Sequence, residues 1–331
     1  MSVLRWVDHF SMVACIWYTS VMRIVLALGG NALTGVNESV RVDHQIAAVE
    51  AASAQVAHLV AQGHQLLLSH GNGPQVGNIL AKNDIAAYFL SPVPLDWCVA
   101  NTQGSIGFIL LNALSGALQE QGLEIAPTVV VSRTVVDPED PAFSAPTKPI
   151  GRHVDVETAE RLIKLGQTWV DHGDAGWRRV VPSPRPLRII EAPAISALLD
   201  AGFLVVGGGG GGIPVVEKSP GHFAGVEAVI DKDLNSVLLA DQISADTLVL
   251  ATNVDNAWLD WGTVRARAIG EIDVATMRQH LADGQFPPGS MGPKVDAVCS
   301  FVEATGGRGI ITRLEKITDA VAGQAGTVVV P

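Results

Sequence analysis

Three lysines of this sequence occupy positions that could serve chemistry. Lys148 lies between prolines in PTKPIG, Lys232 lies between two aspartates in VIDKDLNS, and Lys294 follows a proline at a predicted helix start in GSMGPK. A lysine at a helix N-terminus opposes the helix dipole, and a lysine bracketed by acids after an apolar strand is typical of one held in place. Each alone could be an ordinary solvated lysine. Together they could neutralise the charge on a phosphoryl group in transfer.

Glycine turns follow three apolar runs, in ALGGNAL, SHGNGPQ and VVGGGGGGIP. The turns contain Gly29, Gly30 and Asn31, then Gly71, Asn72 and Gly73, and then the run from Gly207 to Gly212. A single glycine pair after a strand is more often a tight turn than a site. Three at equivalent strand ends predict one rim of backbone N–H groups and helix N-termini, which suits phosphate oxygens. None matches the P-loop pattern, and the dinucleotide pattern GxGxxG does not follow the first strand.

The elements that position these residues alternate between short apolar runs and amphipathic segments. Strands are predicted at 24–28, 66–69, 129–131, 203–206, 247–251, 310–311 and 327–330. Helices are predicted at about 46–63, 96–121, 155–165, 194–200, 233–241, 273–281 and 293–304, with a further one ending at 322. This alternation predicts a mostly parallel sheet with helices on both faces, and ligands at the carboxyl ends of its strands.

The proline-rich stretch 137–186 interrupts this pattern. We expect an insertion or lid there rather than a layer of sheet, apart from the short helix, because prolines remove the donors of a strand ladder.

Composition limits the class of protein. The 331 residues are 48% hydrophobic and 17% charged, enough for a sizeable core and unlike a disordered chain. A net charge of −11 argues against nucleic-acid or acidic-membrane partners, which call for basic patches. The three cysteines form no CxxC and the nine histidines show no metal-binding spacing, so we expect a reducing compartment and no histidine metal site.

Residues 1–21 differ from the rest of the chain. The apolar stretch 12–18 is too short to span a bilayer, and Asp8 and His9 interrupt a signal-peptide pattern. Met22 stands directly before the first predicted strand. We therefore expect a dispensable extension outside the fold, such as one from a start assigned too far upstream; a functional segment is the alternative. Its removal should leave activity and melting temperature nearly unchanged.

From about Met22 onward the sequence resembles the carbamate kinases of the amino-acid-kinase superfamily. The resemblance rests, in order, on LALGGNAL, SHGNGPQVGN, PLDWCVANTQGSIG, PTKPIG, WRRVVPSPRP, GGGGIPVV, GVEAVIDKD and PGSMGPK. The glycine turns are common to the superfamily, whereas PTKPIG and WRRVVPSP are specific to carbamate kinases. Two positions depart from the family pattern: Gly292 replaces a larger apolar residue, and ATNVDNAWLDWG differs around the expected adenine site.

The resemblance implies a three-layer αβα sandwich with a mostly parallel open sheet. It implies an N-terminal lobe, 22–206, for carbamate or carbamoyl phosphate, and a C-terminal lobe, 207–331, for the nucleotide. A small protruding subdomain at about 133–182, called the lid below, would close over the acceptor. The implied protein is a cytoplasmic homodimer.

The implied reaction is ATP + carbamate ⇌ ADP + carbamoyl phosphate, a phosphotransfer to a carboxyl-type acceptor, with Mg²⁺ bridging the β and γ oxygens. Family members often run it toward ATP in arginine catabolism. Carbamate already carries the attacking oxygen as an anion, so no general base is required. Catalysis would come from alignment and charge neutralisation.

Carried over to this chain, Lys148, Lys232 and Lys294 neutralise the moving phosphoryl group, and Asp233, with Asp231, orients Lys232. The residues implied to bind acceptor and phosphate are Gly29, Gly30, Asn31, Gly71, Asn72, Gly73, Gly209 and Gly210. Those implied to bind the nucleotide are Asp231, Asn253, Val254, Asp255 and Met291. Ser144, Arg152 and Arg185 are further candidates, for which a place on the lid surface is an equal alternative.

Two other classes of function stay open at this point. The first is a kinase of the same fold acting on an amino-acid carboxylate or a nucleoside monophosphate, against which PTKPIG argues. The second is a non-catalytic nucleotide-binding module. The complete set of three lysines argues against it, because a decayed enzyme would be expected to lose at least one.

Overall fold

The computed structural model describes residues 21–30, 42–87 and 89–331. The predicted extension up to residue 20 and the candidate Asn31 lie outside the described residues. The helices are α1 (Val42–Ala61), α2 (Gly73–Ala86), α3 (Leu95–Glu120), α4 (Val156–Ile163), α5 (Ala192–Asp200), α6 (Lys232–Gln242), α7 (Val274–Ala282), α8 (Met291–Thr305) and α9 (Ile317–Val321). The strands up to the glycine run are β1 (Arg23–Leu28), β2 (Gln65–His70), β3 (Pro127–Val129), β4 (Arg133–Val136), β5 (Lys148–Val154), β6 (Thr168–Asp171), β7 (Trp177–Val181), β8 (Pro186–Ile189) and β9 (Leu204–Val206). Those after it are β10 (Ile213–Ser219), β11 (His222–Gly225), β12 (Thr247–Thr252), β13 (Trp258–Leu259), β14 (Arg267–Ala268), β15 (Glu271–Asp273), β16 (Arg308–Arg313) and β17 (Thr327–Val330).

One eight-stranded sheet runs through both halves of the chain, in the order β15-β17-β16-β12-β1-β2-β9-β3. All neighbours are parallel except β16 and β17, which are antiparallel. The predicted mostly parallel sheet is therefore confirmed. The carboxyl ends of β1, β2 and β9, where the glycine turns begin, meet at one edge.

Helices cover both faces of this sheet. Along β1, Ile24, Leu26 and Leu28 pack with α1, α3 and α9, whereas Val25 and Ala27 pack with α5, α6 and α8. All five side chains are fully buried. This alternation makes a three-layer αβα sandwich and confirms the predicted fold class. Because β1 is packed between the two cores, the turn after Leu28 begins at a tightly held strand end.

The stretch 137–186 contains more regular structure than its prolines indicated. Strands β5, β7 and β6 form an antiparallel three-stranded sheet, beside which α4 packs. The expectation that prolines keep strands out of this stretch was wrong, although none of its strands belongs to the eight-stranded sheet. Pro149 is tolerated because β5 is an edge strand, paired only with β7. A second antiparallel pairing joins β4 and β8, next to β10 and β11, in a separate four-stranded sheet.

Across the described part of the chain, we find no helix with both the length and the apolar character needed to cross a membrane.

Candidate active site

The structure brings the three predicted lysines together around two aspartates. Lys232 Nζ lies 2.6 Å from Asp233 Oδ1, and Lys294 Nζ lies 2.8 Å from Asp233 Oδ2. Lys148 of β5 forms an ion pair with Asp231. Residues far apart in sequence and on three different elements thus form one cluster, here called the lysine cluster.

Local structure explains how α6 presents its part of the cluster. Asp231 is the N-cap of α6, and its carboxylate accepts hydrogen bonds from the backbone N–H of Asp233 at 2.8 Å and Leu234 at 3.4 Å. Val229 and Ile230, directly before it, are buried and anchor the helix start. The capping aspartate therefore stabilises the first turn, on which Lys232 and Asp233 lie.

Helix α8 presents Lys294 from its own first turn. The N–H of Gly292 donates to Pro287 O at 2.9 Å, and a Cβ added at Gly292 would lie 3.1 Å from that same oxygen. The glycine that departs from the family pattern therefore permits close packing at the start of this helix.

Electrostatics keeps the cluster charged. Burial alone would raise the pKa of Asp233, which is 6% exposed, but Lys232 and Lys294 hold that pKa well below its ordinary value. Burial lowers the pKa of Lys232, and Asp233 opposes this shift. The pKa of Asp231 is also lowered. Burial alone would raise this pKa, but the charge and hydrogen bond of Lys148 and the backbone N–H of Asp233 together lower it by more. Three ammonium groups against two carboxylates leave the cluster with a net positive charge, ready for an anion.

The first two glycine turns touch each other through their backbones. A Cβ added at Gly71 would lie 2.7 Å from Gly30 N, so only glycine permits this approach. The N–H of Gly29 donates to Ala251 O and that of Gly71 to Leu28 O, both at 2.9 Å. The first bond holds the first turn to β12, and the second holds the second turn to the end of β1. The N–H groups of Gly30, Asn72 and Gly73 have no partner among the described residues, which leaves them free as donors to a ligand.

The six-glycine run is a buried loop. Gly208, Gly210, Gly211 and Gly212 have positive φ between 66° and 84°, which side chains rarely adopt. A Cβ at Gly210 would lie 2.0 Å from the amide nitrogen of Asn72. Within the described chain, the N–H groups of Gly209 and Gly210 have no partner, whereas the other four amides of the run are bonded. The loop thus adds two donors beside Asn72.

Polar side chains that sequence reasoning missed hold this loop. Gln103 Nε2 donates to Gly209 O at 2.8 Å, and Thr134 Oγ1 donates to Gly211 O at 3.1 Å. Ser132 Oγ accepts from Gly208 N at 2.9 Å. A usable signal existed at Gln103, a polar residue whose neighbours one helical turn away in α3 include the buried Val99 and Ile106.

His70, the last residue of β2, was also missed. Its ring is buried, with Nδ1 3.1 Å from Gly71 O, and a Cβ at Gly209 would lie 2.3 Å from Nε2. Burial lowers the pKa of His70 to about 4; the contact with Gly71 O opposes this shift and Lys232 adds to it. A neutral imidazole therefore separates the second glycine turn from the six-glycine loop.

The residues predicted to bind the nucleotide divide into two groups. Asp231 belongs to the lysine cluster, and Met291 is the half-buried first residue of α8. Asn253, Val254 and Asp255 instead follow β12 at the sheet edge where Gly29 bonds Ala251. The carboxylate of Asp255 is engaged there by Arg313 at 2.8 Å and Lys316 at 3.6 Å.

The three further candidates lie on or beside the lid. Ser144 is exposed and donates to Pro141 O at 2.9 Å, and the backbone N–H of Arg185 donates to Asp140 Oδ2 at 2.9 Å. Arg152 is exposed and lines a cavity beside α2. No hydrogen bond or ion pair joins these side chains to the lysine cluster within the described residues.

The site can bind an anion and stabilise charge that moves between two anions. Free amides come from three turns and ammonium groups from three elements, and both surround the strand ends. The described residues contain no group of three or more His, Cys, Asp or Glu side chains suited to hold a metal ion. The two carboxylates of the site are paired with lysines, so the residues present do not form a metal cage of their own.

Comparison with known proteins places this geometry in context. The family model "Amino acid kinase family" matches residues 22–313. The chain is 44% identical to "Carbamate kinase-like protein YahI" of Escherichia coli (strain K12), over 92% of this chain and 97% of that protein. It is 41% identical to "Carbamate kinase" of Pyrococcus furiosus, over 93% and 99%. The solved structure "Carbamate kinase from Giardia lamblia bound to AMP-PNP" is 38% identical and has a TM-score of 0.88. The match covers 94% of this chain and 99% of that chain.

Proposed function

The chain belongs to the amino acid kinase family, and on that premise we propose that it is a carbamate kinase that interconverts ATP plus carbamate with ADP plus carbamoyl phosphate. The observation that carries the proposal is the lysine cluster beside free amides of three glycine turns. Relatives named carbamate kinase at about 40% identity over nearly their whole length support it. We further propose a role in arginine catabolism in the cytoplasm.

The chain's own residues supply alignment and charge neutralisation. Lys232 and Lys294, both fixed by Asp233, would hold the transferring phosphoryl group from one side. Lys148 would approach from the lid, and the amides of Gly30, Asn72 and Gly73 would hold the acceptor. Carbamate brings its attacking oxygen as an anion, so no residue has to remove a proton.

The lobes and the metal follow from the same proposal. We propose that 22–206 binds the acceptor, that 207–331 binds the nucleotide, and that the lid closes over the acceptor. Mg²⁺ would enter with the nucleotide and be held chiefly by its phosphate oxygens, the usual mode for this ion. Asp231 is the site carboxylate that could approach it, because its partner Lys148 comes from the lid.

The test is a substrate comparison with the purified full chain. We expect ATP formation from ADP and carbamoyl phosphate with Mg²⁺, and poor phosphorylation of UMP, acetylglutamate and aspartate by ATP. If UMP or an amino acid proved the better substrate, the carbamate assignment would be wrong and the fold would stand. The comparison matters because one relative is named only carbamate kinase-like.

We also propose a homodimer, supported by an exposed apolar face of α3. Trp97 and Phe108 are 65% and 64% exposed and lie eleven residues apart, on the same side of the helix. Helix α3 packs on β3, an edge strand of the large sheet, and Val131 just beyond it is 56% exposed. A second copy would cover this face and the sheet edge together.

Sedimentation tests the dimer. Phe108→Glu should turn a dimeric wild type into a monomer, whereas Leu187→Glu should leave it dimeric. Leu187 is a matched control because it is also an exposed apolar residue, 52% exposed, on β8. A monomeric wild type, or a Phe108→Glu variant that stays dimeric, would contradict this interface.

A further inference from the structure

A cavity lies outside the lysine cluster, between α2 and the lid. Its volume is about 390 Å³, within the range of small-molecule sites. Leu80 and Asp84 of α2 form one wall, and residues of β5, α4, β6 and β7 form the other.

The cavity is separate from the proposed site of phosphoryl transfer. No residue of the lysine cluster or of the glycine turns lines it. Helix α2 starts at Gly73, next to the glycine turns, and the cavity runs along it from Gly77, about 6 Å from Gly73 at 1.5 Å per residue, to Asp84, about 16 Å from Gly73. At the near end, Gly77 and Gly151 pack backbone to backbone, since a Cβ on Gly77 would lie 2.3 Å from Gly151 Cα. This contact closes the cavity on the side of the turns.

The walls are positively charged in a chain whose net charge is −11. Arg152, Arg161 and Arg179 line the cavity against the single carboxylate of Asp84. In the part of the chain that the structure describes, Arg152 and Arg161 have neither a hydrogen bond nor an ion pair. Arg179 is half-buried, and burial lowers its pKa against the opposing effects of Asp84 and Glu227. The carboxylate of Asp84 is partly engaged by Gln167 Nε2 at 3.1 Å.

The remaining lining is apolar and includes a fixed aromatic ring. Trp169 Nε1 donates to Gln167 Oε1 at 3.0 Å, which orients the indole, and Leu80 and Leu162 complete the apolar part. Guanidinium groups bind phosphate and carboxylate in the same paired fashion, and an indole face packs on planar or apolar groups. The lining therefore suits a molecule with one anionic end and one apolar part.

We propose that this cavity binds a small organic anion, with its phosphate or carboxylate on Arg152 and Arg161 and its apolar part against Trp169 and Leu80. Such a ligand differs from carbamoyl phosphate, which has no apolar part, and from the nucleotide. Because the two walls belong to α2 and to the lid, its binding would join them. The proposal does not depend on which acceptor the enzyme phosphorylates.

Titration calorimetry on the full chain tests this site with phenyl phosphate and, in a second arm, benzoate. The two arms distinguish a phosphate from a carboxylate ligand, and inorganic phosphate reports the contribution of the apolar part. We expect one of the two organic probes to bind with a 1:1 stoichiometry and more tightly than inorganic phosphate. Arg161→Gln should weaken it about tenfold, the scale of a lost charged hydrogen bond.

Two controls make the outcome decisive. Lys164→Gln removes an exposed cation from the end of the same helix α4 without touching the cavity lining, and should leave binding unchanged. Lys232→Ala removes an anion contact of the lysine cluster and should also leave it unchanged. Absence of binding that depends on Arg161 by both organic probes, equally tight Arg161-dependent binding by inorganic phosphate, or loss of organic-probe binding in Lys232→Ala would each overturn the proposal.

Discussion

At the scale of single residues, the structure gives the three lysines different surroundings. The Lys232 side chain is 12% exposed and bonded to a nearly buried carboxylate, whereas the Lys148 side chain is 32% exposed and comes from the lid. A preorganised cation acts most strongly on charge that develops in the transition state. The two lysines should therefore differ in which kinetic constant they control.

Lys232→Ala should lower kcat by roughly 100- to 1,000-fold with little change in ADP affinity, because the lost contact is strongest in the transition state. Lys232→Arg should not restore the rate, since a planar guanidinium cannot replace a compact ammonium between Asp233 and the phosphoryl group. Steady-state kinetics with ADP calorimetry measures both effects. A variant that kept most of its kcat would show that Lys232 does not neutralise the moving group.

Lys148→Ala should lower kcat and also raise KM for carbamoyl phosphate, while ADP binding stays nearly intact. The reason is that Lys148 reaches the cluster from β5, in the stretch that we propose closes over the acceptor. The same kinetic and calorimetric measurements apply. A change confined to ADP affinity would place Lys148 on the nucleotide side instead.

At the scale of secondary-structure elements, Asp231 serves two structures at once, as the N-cap of α6 and as the partner of Lys148. Asparagine also caps helices well, so Asp231→Asn removes the ion pair and keeps the cap. We expect it to raise KM for carbamoyl phosphate several-fold while it keeps the contribution of the cap to the melting temperature. Asp231→Ala should in addition lose about 1 kcal/mol of capping energy, or about 2 °C in Tm.

Asp273 supplies the matched control for this pair of variants. It caps α7 in the same way, accepting from Thr276 N at 2.8 Å, and is exposed. Asp273→Asn and Asp273→Ala should reproduce the two stability effects without any change in KM. If Asp231→Asn left KM unchanged, the ion pair would have no part in closing the lid.

The six-glycine loop should not tolerate a side chain at Gly211. Gly211 has φ of 84°, and a Cβ there would lie 2.5 Å from Ile230 O, directly before Asp231. Gly211→Ala should therefore lower both Tm and kcat, because the shift displaces the start of α6. Gly221→Ala is the control: its φ is 78°, but a Cβ meets nothing within 4 Å. It should show only the cost of the backbone angle, about 1–2 kcal/mol, and normal kcat.

Elements were predictable where one physical signal decided them. The central strand Ile24–Leu28 and the long helix α3 were recognisable because burial on both faces gives continuous apolar runs, and amphipathic helices give a regular period. Antiparallel strands such as β5 and β7 were missed because Pro149 and short alternating runs look irregular until the edge position is known.

The lysines of the site were predictable from their neighbours in sequence, but their partners were not. The bond between Lys294 and Asp233 spans 61 residues and depends on how α6 and α8 pack. The buried position of His70 likewise depends on the six-glycine loop, which is distant in sequence. Such contacts follow from tertiary packing, which has no local sequence signal.

At the scale of the whole molecule, His70 links the folded state to pH. Its pKa is lowered by burial to about 4, whereas an unfolded histidine has a pKa near 6.5. As pH falls through 6.5, this histidine becomes protonated in the unfolded chain, whereas in the folded chain it becomes protonated only near pH 4. The folded state is therefore stabilised above pH 6.5, and this stability is lost progressively as pH falls toward 4.

Between pH 7 and pH 5 this single group should reduce the free energy of unfolding by about 2 kcal/mol, at 1.36 kcal/mol per pH unit below 6.5. Urea unfolding at both pH values measures the loss for the wild type, for His70→Gln and for His222→Gln, in which an exposed histidine of β11 is replaced. His70→Gln should show a loss smaller by that amount, and His222→Gln should match the wild type. NMR titration of the wild-type imidazole provides a check that does not depend on the variant folding. Protonation of His70 near pH 6.5 in the folded protein would contradict the claim that its ring is neutral beside the six-glycine loop.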